Sequence, residues 1–169
     1  MNKNVDNPLS GRDIKNFMQE MNERPNLIFN NDITNDSNAE SIFKNSGHAI
    51  IYHDWGTDTG HWLCAVRKHD KNKQGFNKEG EVYFFDSFGE SPNYYNKNIV
   101  KALLKDYKKV NYNDIKLQSD DANTCGKHCL MICAYNKLGL GASDIDKILK
   151  KMKNKKVNFD KLAIDIIKK

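Results

Sequence analysis

Residues 117–138, LQSDDANTCGKHCLMICAYNKL, decide the fold of this chain. The stretch begins as a polar loop and becomes strongly apolar between Thr124 and Leu138. An apolar run of this length is too long for a strand, so it predicts a buried helix that follows a loop. Cys125 therefore lies at the point where the loop becomes the helix.

Cys125 occupies a position in which a cysteine is readily activated. Backbone N–H groups at a helix N-terminus are unpaired and carry partial positive charge, which stabilises a thiolate or an oxyanion. Gly126 follows directly and would let a substrate approach the backbone closely. Cys129 and Cys133 lie deeper in the same helix, where a free cysteine usually serves as a small buried residue. The sequence thus favours Cys125 as a nucleophile.

Three strand patterns precede this helix. They read GHAIIYH at residues 47–53, HWLCAVRK at 61–68 and EVYFFDS at 81–87, and all are rich in β-forming residues. The polar residues 69–80 between the second and third patterns include Gly75 and Gly80, and they predict a hairpin loop. The second and third strands are therefore expected to pair as antiparallel neighbours.

Weaker signals place the remaining elements. Ser10 and Ser143 are suitable N-caps for two of the predicted helices. We predict helices over residues 11–22, 98–107, 143–152 and 159–167, short strands at 27–29 and 115–118, and a loop over 30–41 with a short helix near 39–43. This order predicts an α+β fold in which helices flank a mixed, mostly antiparallel central sheet, within one domain over residues 1–169.

The composition indicates a soluble, folded chain without disulfides. Its 169 residues, 38% of them hydrophobic, suffice for one core, and three of its four cysteines are spaced by four residues as on one helix stripe. No apolar run approaches the ~18–20 residues needed to cross a bilayer, and the first residues lack a secretory pattern, so we expect a reducing compartment. The net charge of +5 fits a lysine-coated surface or a polyanionic partner.

A thiolate nucleophile needs a base, and the base needs a group that fixes its tautomer. His61 follows Gly60 at a strand start, and Asp86 ends the next strong strand, so a hairpin centred near residues 73–74 would place the two opposite each other. His128 is three residues after Cys125 on the same helix and would have a poor line of approach. His61 alone could be a surface histidine, and Asp86 alone could be a turn residue.

Together these segments resemble the adenovirus-type maturation proteases, a family related in fold to the SUMO-specific proteases. Shared features are Gly-His-Trp at residues 60–62, Phe-Asp-Ser-Phe-Gly at 85–89, and a glutamine seven residues before Cys-Gly. The resemblance spans residues 47 to about 136. It implies that Cys125 is the nucleophile, His61 the base, Asp86 the residue that orients it, and Gln118 a donor to the oxyanion.

The same resemblance implies a cysteine endopeptidase that processes viral capsid or other structural precursor proteins during virion maturation, at glycine-containing sites. We accordingly expect a monomer in the virion and the host-cell interior, with no metal or small-molecule cofactor, no membrane contact, and DNA as an accessory activator. One feature departs from the family. The adenovirus enzyme tethers a peptide cofactor through a cysteine that lies between the acidic residue and the nucleophile, and this chain has no cysteine between Cys64 and Cys125.

Three other interpretations remain open. A deubiquitinase or SUMO-protease-like isopeptidase would use the same fold and chemistry on another substrate. Cys125, His128, Cys129 and Cys133 provide enough ligands for a metal ion, although one helix does not easily wrap a tetrahedral site. The basic segment over residues 150–156 could belong to a nucleic-acid-binding module, although we favour solvated lysines at a helix end as its explanation.

Overall fold

One mixed five-stranded sheet organises the chain, with its strands ordered as they occur in the sequence. The computed structural model describes residues 7–69, 75–76 and 80–167. The strands are Leu27–Phe29 (β1), His48–Asp54 (β2), Gly60–Arg67 (β3), Glu81–Phe85 (β4) and Lys109–Tyr112 (β5). The outer pairs, β1 with β2 and β4 with β5, are parallel, and the two central pairings are antiparallel. The predicted α+β fold with a mixed sheet is confirmed.

Helices cover both faces of the sheet. Within the described residues they are Gly11–Glu20 (α1), Ala39–Phe43 (α2), Pro92–Tyr95 (α3), Lys97–Leu103 (α4), Cys125–Lys137 (α5), Ala142–Asn154 (α6) and Phe159–Ile167 (α7), with a short 3-10 helix at Asn30–Asp32. None of these helices has the length and apolar character that a membrane span requires.

Alternation along β3 divides the core into two layers. Cys64 and Val66 face α5 and pack with Cys129 among the residues of one cluster, which also includes side chains of α1, α6 and α7. Leu63 and Ala65 point to the opposite face and pack in a second cluster with α2 and α4. Because successive strand residues point to opposite faces, one strand supplies both layers. Helix α5 is held between the sheet and the terminal helices, which fixes the position of its first turn.

Two short predictions outside the core were wrong. Residues 115–118 do not form a strand, because the backbone N–H groups of Leu117 and Gln118 both donate to the carbonyl of Ser87 instead of to a ladder of partners. Ser143 does not cap α6, since Gly141 occupies the N-cap position and its N–H donates to the Asp144 carboxylate at 3.0 Å.

The predicted helix over residues 98–107 is shorter and has an unexpected neighbour. Pro92 begins the separate helix α3, and the side chain of Asn96 then caps α4 by accepting the N–H of Asn98 at 2.9 Å. Helix α4 ends at Leu103, four residues earlier than predicted. The turn between α3 and α4 brings Tyr95 over the end of the sheet.

The hairpin between β3 and β4 has a different register from the one expected. Cys64 pairs with Phe85, so the position opposite His61 is Phe88, and Asp86 is its diagonal neighbour. Residues 70–74 and 77–79, where the sequence predicts the hairpin loop, lie outside the described residues. The diagonal register allows Phe88 to stack on the imidazole while Asp86 approaches it from the side.

Candidate active site

Cys125 is the first residue of α5, and it is 8% exposed. Burial opposes ionisation of the thiol, but the interaction with a protonated His61 and the backbone N–H groups of Trp62 and Gly126 outweigh it and lower the pKa of Cys125. The position predicted from the sequence therefore coincides with a thiol whose thiolate form is stabilised.

His61 lies between Cys125 and Asp86. Its Nε2 is 2.6 Å from Oδ1 of Asp86, and the Cys125 thiolate interacts favourably with the protonated imidazole. Burial opposes protonation of the imidazole, but these two partners outweigh it and raise the pKa of His61 from 6.5 to about 9. His61 and Asp86 thus form a buried hydrogen-bonded pair, and Cys125 interacts electrostatically with His61.

The Asp86 carboxylate is fully buried, and donors fill both of its oxygens. Oδ1 also accepts the backbone N–H of Phe88 at 3.1 Å, while Oδ2 accepts the N–H of Glu90 at 3.0 Å and the hydroxyl of Tyr95 at 2.7 Å. Burial favours the neutral acid, but the contacts with His61, Tyr95 and Phe88 outweigh it and hold the pKa of Asp86 below 3.8. The carboxylate is therefore charged and fixed in orientation.

The turn after Asp86 is shaped by backbone contacts. Gly89 has φ of +79°, and a Cβ atom there would lie 2.7 Å from the carbonyl carbon of Ile115. Only glycine adopts this conformation easily and leaves room for the neighbouring chain. The buried side chain of Asn113 adds a second brace, because it accepts the N–H of Asp86 at 2.9 Å and donates to the carbonyl of the same residue. Both contacts hold the 86–90 turn against the loop that leads to Gln118.

Gln118 is buried in that loop, and its side chain is oriented by two contacts. Its Oε1 accepts the hydroxyl of Ser87 at 2.6 Å, and its Nε2 donates to the carbonyl of Ala122 at 2.5 Å. An amide nitrogen carries two hydrogens, so a second donor direction remains beyond the contact with Ala122. Gln118 is not a partner in the hydrogen bond between His61 and Asp86. It contacts Ser87, which directly follows Asp86.

Aromatic rings enclose the imidazole. Phe88 stacks on His61 with ring centroids 4.9 Å apart, Tyr95 stacks at 5.8 Å, and Trp55 lies at 6.2 Å. These rings limit the access of water to the contact between His61 and Asp86. Electrostatic interactions are stronger in such a shielded environment than in solvent.

Trp62 and Leu9 lie beside Gly126, the residue that follows Cys125. The indole Nε1 of Trp62 donates to the carbonyl of Leu9 at 2.9 Å. A Cβ atom at Gly126 would lie 3.2 Å from the Cβ of Leu9 and 3.2 Å from Cδ1 of Trp62, so the space beside Cys125 is tight. Both residues also line an adjoining apolar groove of about 460 Å³, together with Leu27 and Tyr52.

Two other titratable residues of α5, Cys129 and His128, have different surroundings from Cys125. Burial raises the pKa of the Cys129 thiol, which opposes its ionisation. His128 is fully buried, and its Nε2 contacts Asp160 at 3.0 Å. Within the described residues no group of three or more His, Cys, Asp or Glu side chains is arranged to hold a metal ion.

Sequence reasoning missed four residues that brace this site: Ser87, Tyr95, Asn113 and Asp160. Ser87 could have been noticed because it directly follows Asp86. Tyr95 and Asn113 had no recognisable pattern, since each reaches the site through a loop whose path the sequence does not specify. Asp160 was assigned only to a terminal helix.

No protein-family model matches the sequence, and no curated protein is detectably similar to it. Its fold resembles that of the ASFV pS273R protease in two crystal structures, one of them of the selenomethionine form. Both have a TM-score of 0.50 and 14% identity over 85% of this chain. The chain spans 64% and 63% of the length of those two structures, less than two thirds. At this identity the likeness shows the fold alone.

Proposed function

We propose that this chain is a cysteine endopeptidase with Cys125 as its nucleophile. The observation that supports this most strongly is the buried pair of His61 and Asp86, with 2.6 Å between their side chains, beside a Cys125 thiol whose pKa His61 lowers. A buried imidazole with a pKa raised to about 9, next to a thiol with a lowered pKa, favours the thiolate–imidazolium form at neutral pH.

The proposed reaction has two halves. The Cys125 thiolate attacks the carbonyl carbon of the scissile peptide bond, and the protonated His61 gives its proton to the departing amine as the C–N bond breaks. His61 then removes a proton from water, the resulting hydroxide attacks the thioester, and the thiolate leaves with the carboxylic acid released. Asp86 holds the imidazole in orientation throughout and stabilises its charged form.

An oxyanion forms in both halves, and two donors are suited to bind it. One is the backbone N–H of Cys125, which begins α5 and has no partner within the helix. The other is the second hydrogen of the Gln118 amide, whose orientation is fixed by Ser87 and Ala122. Removing one such donor costs about 100- to 1000-fold in kcat in other acyl-transfer enzymes.

The substrates that we propose are viral capsid or other structural precursor proteins, cleaved at glycine-containing sites during virion maturation. The resemblance of the 60–62, 85–89 and 118–126 segments to adenovirus-type proteases supports this, as does the shared fold with a viral protease. The tight space between Trp62, Leu9 and Gly126 supports a preference for residues without a side chain beside the cleaved bond. A monomer in the virion and the host-cell interior, without membrane contact, is part of the proposal.

DNA is proposed as an accessory activator. Exposed lysines line the second half of α6 and the residues after it: Lys147, Lys150, Lys151, Lys153, Lys155 and Lys156. The ammonium group of Lys153 also donates to the carbonyl of Lys116 at 3.1 Å, which places this basic surface next to the loop that contains Gln118. Contacts of lysines with phosphates are salt-dependent, so DNA would raise the cleavage rate at low salt and lose that effect as salt increases.

The test uses two kinds of substrate, a capsid precursor and a ubiquitin or SUMO fusion, each with and without DNA. New N-termini are mapped by mass spectrometry, and Cys125→Ala is the control for contaminating proteases. Cleavage of the precursor by the wild-type protein and not by Cys125→Ala is the expected result. Rapid processing of the fusion without cleavage of any precursor would identify a deubiquitinase-like enzyme and refute the maturation proposal.

A further inference from the structure

Asp160, in the first turn of α7, accepts four hydrogen bonds from one loop and one helix. Its Oδ2 accepts the backbone N–H of Ser119 at 3.0 Å and the hydroxyl of the same residue at 2.8 Å. Its Oδ1 accepts the hydroxyl of Thr124 at 2.5 Å and Nε2–H of His128 at 3.0 Å. A carboxylate with four donors is fully engaged, and none of these donors comes from its own helix.

The partners of Asp160 lie directly beside the proposed oxyanion donors. Ser119 follows Gln118, and Thr124 precedes Cys125. One carboxylate therefore fixes both ends of the 119–124 loop, whose two flanking residues would bind the same oxyanion from different sides. The distance between those two donors depends on how this loop is held.

Thr124 also has an unusual role at the N-cap of α5. A threonine in that position commonly accepts an N–H group of the first helical turn. Here its side chain makes no capping hydrogen bond, and its hydroxyl donates to Asp160. The first-turn N–H groups of α5 are therefore not capped by this side chain and can face the thiolate and the oxyanion.

His128, on α5, also holds the carboxylate of Asp160 in place. Its side chain is fully buried, and within the described residues its Nδ1 has no hydrogen-bond partner. A carboxylate only accepts hydrogen bonds, so Nε2 bears the proton in this contact. Burial opposes the charge on Asp160, but the hydrogen bonds from His128, Thr124 and Ser119 outweigh it and hold the pKa of Asp160 well below its ordinary value. The residue thus remains an acceptor at neutral pH.

We infer that Asp160 is a positioning residue for the oxyanion hole: it sets the separation of the Gln118 amide and the Cys125 N–H. This inference rests on the proposed peptidase function. Helix α7 would then influence the reaction through Asp160, although no hydrogen bond among the described residues joins α7 to Cys125.

Asp160→Asn tests the inference with almost no change in shape. An amide nitrogen would then face either the Ser119 N–H or the His128 Nε2–H, so one end of the loop would lose its acceptor. Since a misplacement of about 1 Å can cost ~100-fold in rate, we expect kcat to fall ~10- to 100-fold on a fluorogenic peptide amide ending in Gly-Gly. KM should change less than about twofold, because substrate binding is not disturbed.

Two further readouts separate positioning from general destabilisation. Binding of a peptide aldehyde, which forms an oxyanion on Cys125, should weaken by about the same factor as kcat/KM. Alkylation of Cys125 by iodoacetamide forms no oxyanion and should keep its rate. Asp165→Asn, the same change at an exposed position of α7, is the matched control and should behave like the wild-type protein. Thr124→Val is a second variant, which removes only the hydroxyl and should lower kcat in the same manner.

The outcomes are distinct. An Asp160→Asn protein with unchanged kcat and aldehyde affinity, whether or not its melting temperature falls, would overturn the inference and leave the peptidase proposal intact. A parallel loss of alkylation would also overturn it, because the thiolate itself would then have been displaced. A wild-type protein that cleaves no peptide and binds no aldehyde would refute the peptidase proposal together with this inference.

Discussion

Replacing Asp86 by asparagine removes the charge beside His61 and leaves the shape of the side chain almost unchanged. The pKa of His61 lies at about 9 instead of 6.5, which corresponds to about 3 kcal/mol in favour of the protonated form. Cys125 supplies part of this stabilisation, so the share of Asp86 is about 1–2 kcal/mol, a factor of about 10 in rate.

Hydrogen bonding adds to the effect of the charge. Asparagine has one acceptor oxygen, whereas four donors converge on the two oxygens of Asp86. The hydroxyl of Tyr95 can rotate and accept from the new NH₂ group, but the N–H of Glu90 cannot. An unpaired buried N–H costs about 1–3 kcal/mol, so the turn after residue 86 will shift. We therefore expect kcat/KM to fall ~10- to 100-fold, less than in His61→Ala, which removes the base itself.

The pH dependence of kcat/KM should show the direction in which Asp86 shifts the pKa of His61. His61 must be protonated to release the amine, so the basic limb of kcat/KM should lie near pH 9 in the wild-type protein and move toward 6.5 in Asp86→Asn. The free energy of unfolding should also depend on pH through His61 and Asp86. The contribution of His61 to the free energy of unfolding is complete below its unfolded pKa of 6.5 and is lost as the pH rises through about 9. The contribution of Asp86 is present above its unfolded pKa of 3.8 and is lost as the pH falls through its lowered pKa.

The assay is a pH profile of kcat/KM on the fluorogenic peptide, combined with urea unfolding at pH 5.5 and pH 9.5. The difference in free energy of unfolding between the two proteins should be larger at pH 5.5. Asp36→Asn, the same change at an exposed loop position, is the control. A folded Asp86→Asn protein with wild-type kcat/KM and an unmoved basic limb would refute the proposed role of Asp86.

Three other substitutions test separate parts of the site. Gln118→Ala should lower kcat by ~100-fold or more with little change in KM, and a raised KM at constant kcat would assign Gln118 to substrate binding instead. Cys129→Ala should keep wild-type kcat and lose about 1–2 kcal/mol of stability in urea unfolding, since its buried sulfur packs in the core. Gly89→Ala should destabilise the fold by about 2 kcal/mol or more, because its φ of +79° and the nearby Ile115 backbone both disfavour a side chain, and wild-type stability would contradict that geometry.

The elements with strong local patterns were predictable from the sequence. The apolar run after Thr124 could form only a buried helix, and α5 begins at Cys125 within one residue of the predicted start. The last helix was also predicted at its observed bounds, Phe159–Ile167. The length of the apolar run predicts α5, in which residues 125–133 are all buried, whereas α7 buries only one face, with Phe159 and Ala163.

The elements that depend on neighbours could not be predicted in the same way. Strand β5 at Lys109–Tyr112 has a weak pattern and exists because it pairs in parallel with β4, whereas residues 115–118 look more strand-like but have no strand beside them. The register of the β3–β4 hairpin was displaced by two residues because a loop length gives only an approximate centre. The diagonal position of Asp86 relative to His61 follows from that register.

The site itself was only partly accessible to sequence reasoning. The proposed catalytic residues lie in short motifs and could be proposed as a group, and the structure joins His61 and Asp86 by a hydrogen bond. The bracing residues could not be proposed, because Tyr95 and Asp160 act through contacts between segments distant in the chain. Their spacing in sequence reveals nothing about these contacts.

The central claim is that Cys125 and His61 form an activated pair, and its most direct test needs no knowledge of the substrate. The folded protein is treated with limiting iodoacetamide at pH 6, and the labelled cysteine is identified by peptide mapping in the wild-type protein and in His61→Ala. The account predicts rapid labelling at Cys125, whose pKa is lowered, and a loss of that rapid reaction in the variant. Cys64, Cys129 and Cys133 are more deeply buried and have raised pKa values, so they should react slowly. Labelling of another cysteine first, or a Cys125 reaction that is slow and indifferent to His61, would contradict it.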